Sequence, residues 1–147
     1  MAAPTLYEEI HNLLEQQVQC VLATVDGEQP CLHLMAYGFS DSLDQLYLAS
    51  YADTRKVQNM LKQPRVSLMW DNRTGQHEDH TGGLALNAEG KAKRLEGPAR
   101  ETVSQRLLAR NPTLETLLCE PTTAVFAVDV QAYVFAKGYG GVQTYQP

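Results

Sequence analysis

Hydrophobic and polar residues change their period several times along this chain, and each change marks an element. From Thr5 to Gln17, Leu6, Ile10, Leu13 and Leu14 fall on one side of a 3.6-residue repeat. Thr5 is placed to cap that helix, and Glu8 three residues on completes a capping box. The period then shortens. Cys20 to Val25 is a strand-forming apolar run, and Asp26-Gly27 is a two-residue hairpin signal. Pro30 opens a returning strand in which Cys31, His33, Met35 and Tyr37 share one face, while Leu32, Leu34 and Ala36 share the other. Both faces read as at least half-buried. A turn from Ser40 to Gln45 leads into Leu46 to Ser50, and the three strands predict an antiparallel meander.

The second half continues the alternation. Lys56 to Gln63 predicts a helix with Val57, Met60 and Leu61 on its buried stripe, stopped by Pro64 before a strand from Arg65 to Trp70. Asp71 to Thr81 is polar and aperiodic, which predicts a long exposed loop. Gly82 to Glu96 reads as a strand with a bulge or tight bend at Gly90. Gly97-Pro98 introduces a helix burying Val103, Leu107 and Leu108, and a shorter helical piece follows from Thr113 to Leu118. A last strand sets Val125, Ala127 and Asp129 against Phe126, Val128 and Val130, then ends in the glycine-rich Gly138 to Gly141. About six strands of mostly hairpin connectivity with segregated helices predict an α+β fold, mainly β, built on a small antiparallel barrel.

Composition narrows the function classes. The 147 residues suit one domain, 1–147, with 44% hydrophobic and 20% charged residues. A net charge of −5 argues against nucleic acid as a partner. The first residues lack a basic leader and an apolar block of membrane-spanning length, so no membrane association and a cytoplasmic location are expected. Cys20, Cys31 and Cys119 have no paired-motif spacing and read as reduced thiols.

Candidate chemistry concentrates at one junction. Ser50 ends a strand, and Thr54, Arg55 and Lys56 open the next helix. Cations are mildly unfavourable at a helix N-terminus unless an anion is present, so the alternative to a solvated first turn is a phosphate site. His33 reads as a core or cavity-wall imidazole rather than a general base. His77, Glu78, Asp79 and His80 lie in a row, and adjacent loop ligands rarely converge on one ion, so they read as a solvated loop and not a metal site. No nucleophile elbow, Walker loop or dinucleotide fingerprint is present in the sequence.

Three stretches, LATVDGEQPCLHLMAYGF, LYLASYADTRKVQNMLKQPRVSLMW and GKAKRLEG, resemble the pyridoxamine 5′-phosphate oxidase-like FMN-binding split-barrel family. The resemblance spans about Cys20 to Gly97, and its most specific part is Thr54-Arg55-Lys56 followed by Gln63-Pro64-Arg65-Val66. It implies an antiparallel six-stranded split β-barrel with flanking helices, a homodimer, and FMN in two clefts at the subunit interface. The strand bearing His33, Leu34, Met35 and Ala36 would flank the flavin ring, and Ser50, Thr54, Arg55 and Lys56 would hold the phosphate. Vitamin B6 oxidation is not implied. The chain ends VQTYQP where those oxidases carry a basic tail, and the lysine they place at the end of the ring-flanking strand is replaced around Tyr37. Arg110-Asn111-Pro112 and the terminal glycines resemble the haem-utilisation branch of the same fold. The expected function is an FMN-dependent oxidoreductase acting on a small molecule, with no side chain standing out as catalytic. The alternatives are a non-enzymatic FMN-binding or electron-carrier module, and a haem-binding or haem-degrading protein.

Overall fold

The computed structural model describes residues 2–147. In chain order the elements are α1 (Leu6–Gln16), β1 (Gln19–Asp26), β2 (Gln29–Ala36), β3 (Gly38–Phe39), β4 (Gln45–Ser50), α2 (Arg55–Lys62), β5 (Arg65–Asp71) and α3 (Asp79–Gly82). They continue as β6 (Leu84–Arg94), α4 (Gly97–Arg110), a 3₁₀ turn (Pro112–Leu114), α5 (Glu115–Cys119), β7 (Ala124–Lys137) and β8 (Val142–Tyr145). The capping box of Thr5 and Glu8 is present at the start of α1. The sheet runs β2-β1-β5-β6-β7-β4-β3, and every pairing is antiparallel. Among the described residues it has eight strands rather than six, because β3 is a separate two-residue piece and β8 folds back on the end of β7.

The sequence suggested a meander through the first three strands, and the chain departs from it at Tyr37. This fully buried residue leaves the ladder between β2 and β3. Its hydroxyl donates to the carbonyl of Leu14 at the end of α1. Only Gly38 and Phe39 beyond it pair with β4, while the length of β4 pairs with β7. β2 and the part of β4 beyond its two pairs with β3 therefore diverge without pairing, and the barrel is split between them.

The barrel interior holds Leu22, Leu68, Trp70, Leu86, Phe126 and Phe135, and α1 contributes Ile10, Leu13 and Leu14 to the same core. A second, smaller core packs Val103 and Leu107 of α4 on Tyr47, Ala49, Val125 and Ala127, with Leu114 and Leu117 against it. The bend expected at Gly90 is a register shift between Glu89 and Gly90 against β7. A Cβ there would run into the carbonyl oxygen of Asp129, so glycine is required by close backbone approach. The first hairpin turns on Gly27-Glu28, one residue later than expected, with Gly27 at φ +62° and Asp26 paired with Gln29.

Three burial expectations change. Leu32 and Leu34 on the outer face of β2 are 71% and 69% exposed, so that face is not half-buried. In α2, Leu61 is half-exposed and Asn59 is buried beside Val57 and Met60. The 71–81 segment is more ordered than a plain loop: the Asp79 carboxylate accepts from the backbone N–H groups of Thr74 and Gly75 and from the Thr74 hydroxyl. Those donors hold the Asp79 carboxyl below the ordinary carboxylate range, the Thr74 hydroxyl contributing most.

Candidate functional site

The split in the barrel contains a cleft of about 250 Å³ lined by Leu34, Met35 and Ala36 of β2, Ala49 and Ser50 of β4, Tyr51, Thr54, Lys56, Leu114 and Leu117. Six of the eight residues expected at a cofactor site thus meet around one opening. A second groove of about 570 Å³ shares Ala36 and Leu114 with it and is lined further by Gln16, Gln17, Val18, Gln19, Asn111 and Thr113. A cationic end, an apolar middle and an amide-rich far end follow one another along the combined surface.

The cationic end is built by the turn from β4 into α2. Thr54 is the N-cap residue, but its hydroxyl donates to the Tyr51 carbonyl at 3.0 Å and also bonds Ser50 Oγ at 3.0 Å. Among the described residues no side chain caps α2, and no acidic residue occupies its first turn. Its leading N–H groups are left for another acceptor, at the positive end of the helix dipole. Lys56 makes no ion pair among the described residues.

Arg55 and His33 do not line the cleft. Arg55 reaches back across the first hairpin to Asp26, at 3.1 Å, and both partners are more than half exposed. His33 points to the opposite face of β2 from Leu34 and bonds Thr24 Oγ1 through Nε2 at 2.9 Å. Burial, followed by the positive fields of Lys56 and Arg55, holds its imidazole below the ordinary histidine value, which favours the neutral ring at pH 7.

Elsewhere, Arg110 is committed to the protein. Its guanidinium donates to the carbonyls of Leu14 and Gln17 and to the Tyr37 hydroxyl, and it stacks on the Tyr37 and Phe39 rings. Asn111 donates to the Tyr37 carbonyl at 3.0 Å. The Arg110-Asn111-Pro112 element thus fastens α4 to the end of α1. Burial pushes the Cys20 thiol up to about 12, which makes it a poor nucleophile. Sequence reasoning missed Thr24 and Asn59. The available signal was a polar residue, Asn59, at helical spacing among the apolar positions of α2.

A family model described as pyridoxamine 5′-phosphate oxidase matches residues 6–137. The chain belongs to this family. The fold is shared with the heme-binding protein from Mycobacterium smegmatis, with 18% identity and a TM-score of 0.86 over 99% of this chain. It is shared also with Campylobacter jejuni ChuZ, with 12% identity and a TM-score of 0.82 over 99% of this chain. The heme storage protein HutZ from Vibrio cholerae has 19% identity and a TM-score of 0.76, covering 90% of this chain and 94% of HutZ. This chain spans only 60% of the Mycobacterium protein and 61% of ChuZ. No curated protein matches it in sequence. Among the described residues, no helix of this family member is long and apolar enough to cross a membrane.

Proposed function

We propose that this member of the family binds FMN in the cleft between β2 and β4 and serves as a flavin-dependent oxidoreductase for a small molecule. One observation carries the reading: the uncapped start of α2, the hydroxyls of Ser50 and Thr54 and the ammonium of Lys56 converge at one end of a cleft. That donor set fits a phosphate monoester, since helix N–H groups and an ammonium donate to anionic oxygens, and the two hydroxyls, which now bond each other and the Tyr51 carbonyl, would turn to do the same. Leu34 to Ala36 would flank the ring, and the amides beyond Ala36 offer neutral donors and acceptors to its polar edge. Bound FMN would supply hydride or single-electron transfer at its ring. The chain's own part is to hold the phosphate, orient the ring and exclude water with Leu114 and Leu117.

The same reading includes a homodimer. Leu34 pairs across β1 Val21 to Met69 of β5, so apolar side chains, exposed at Leu34 and Met69 and half-buried at Val21, cross three strands in register on the outer face. A second copy seated there would cover this row and close the cleft beside it. The test is the purified protein itself: a flavin absorption spectrum, or FMN taken up by colourless protein at one per chain, with a dimer in sedimentation. Folded protein that takes up no FMN overturns the flavin reading. Bound FMN without turnover of any small electron acceptor would identify a carrier instead of an enzyme.

A haem reading is favoured by two structural relatives, one a heme-binding protein and one a heme storage protein. It places an iron porphyrin against the apolar part of the groove. None of His11, His33, His77 and His80 lines the cleft, which is why the flavin reading is preferred. Haemin titration separates them. A Soret shift that is lost on His33→Ala or His77→Ala and survives Lys56→Ala would favour haem.

A further inference from the structure

We propose that Thr24 is a positioning residue for the anion end of the cleft: its hydroxyl, held between Asn59 of α2 and His33 of β2, fixes the helix face bearing Lys56 against the strand lining the cleft. The inference rests on the flavin reading. Thr24 is fully buried and Asn59 is 4% exposed, so neither polar group has water to fall back on. Asn59 Nδ2 donates to Thr24 Oγ1 at 3.0 Å, and Thr24 Oγ1 lies 2.9 Å from His33 Nε2. With its oxygen accepting from the amide, the hydroxyl has its one proton free to donate to the neutral imidazole.

The geometry makes this more than a core hydrogen bond. Asn59 follows Lys56 by three residues and Arg55 by four, the spacing of side chains on one side of a helix. Anchoring Asn59 therefore sets the rotation of α2 about its own axis, and with it the direction in which Lys56 leaves the helix. His33 is the immediate neighbour of Leu34, which lines the cleft from the other side. Both walls of the cleft are thus tied, one residue or one helical turn away, to a single hydroxyl on β1. A valine would fill the same volume and leave the buried Asn59 amide and the half-buried His33 ring without this partner.

The full chain, titrated with FMN and with riboflavin by flavin fluorescence, tests it. Thr24→Val is expected to weaken FMN by about five- to twenty-fold, the size of one lost hydrogen bond. It is expected to leave riboflavin, which has no phosphate, within about twofold, while Thr24→Ser restores FMN affinity. Asn59→Ala releases the helix side of the same bond, gives the same selective loss, and decides the matter if Thr24→Val does not fold. Equal losses for both flavins, or a serine variant as weak as the valine, would mean an ordinary packing role and overturn the proposal. Wild-type protein that binds neither flavin overturns the flavin reading instead. Inorganic phosphate then decides: it should shift the His33 ring resonances in the wild type and need at least about fivefold more phosphate in Thr24→Val. No shift in the wild type, or equal titrations, overturns the positioning role.

Discussion

Arg110, packed against the end of α1, and Lys56, in the lining of the cleft, are cations spent in opposite ways. Arg110 finds the carbonyls of Leu14 and Gln17, which the end of α1 leaves without helical partners, and adds the Tyr37 hydroxyl and, at 3.6 Å, Glu15. Only its Nε is left without a partner. Lys56 stands at a helix start whose N–H groups also lack a side-chain acceptor, so it adds positive charge where charge is already unbalanced. A cation that completes the chain's own hydrogen bonds is structural. One that adds to an unmet set of donors makes sense with an anion from outside.

The largest effect expected from breaking this contrast is on stability. Arg110→Met keeps the stem over Tyr37 and Phe39 and removes the guanidinium donors, so the carbonyls of Leu14 and Gln17 are left to share the Tyr37 hydroxyl. It should cost about 3 kcal/mol in urea denaturation, the range for charge-assisted bonds in a mostly buried side chain. FMN affinity of the folded fraction should stay within about twofold, since Arg110 lies outside the cleft. Loss of cofactor with unchanged stability would reverse the roles assigned to the two cations.

Lys56→Ala is the mirror test. It should weaken FMN by about 1.5 to 3 kcal/mol, as for a charge-assisted bond to phosphate, and change stability by less than about 0.5 kcal/mol. Calorimetric titration beside thermal melting reads both. Arg55→Ala should weaken FMN by less than about 1 kcal/mol, because its guanidinium is turned to Asp26 in an exposed pair and acts on the cleft only at a distance. A loss equal to that of Lys56→Ala would mean that Arg55 abandons Asp26 for the ligand.

That difference between neighbours marks the limit of what was legible in the sequence. Local signals carried far: the Thr5 and Glu8 box, the α2 helix, the bulge at Gly90 and the gathering of Ser50, Thr54 and Lys56 all depend on residues near one another in the chain. Arg55 was not separable from Lys56, because its partner Asp26 lies 29 positions away, on another element. The same reason hid the break at Tyr37, whose anchor is the end of α1, and the strand β8, which has no apolar alternation and is held by pairing with β7. Leu32 and Leu34 read as buried because alternation in a strand reports apolar faces without saying what covers them. Among the described residues nothing does, and a second copy is the proposed cover.

The smallest effect concerns the imidazole that Lys56 and Thr24 share as a neighbour. Burial, then Lys56 and Arg55, hold the folded-state His33 below its unfolded value of 6.5. Well above pH 6.5 both states carry it neutral, and it adds no pH dependence. As the pH falls below 6.5 the unfolded chain takes up the proton first, so the folded state loses stability until His33 itself protonates. The urea midpoint of the wild type should therefore fall more between pH 7 and pH 5 than that of His33→Gln, which cannot titrate. Saturating FMN should narrow the gap, because a phosphate beside Lys56 offsets the positive field that depresses the imidazole. A gap that FMN leaves untouched would mean that burial alone sets His33, and that the anion lies too far from Lys56 to be felt there.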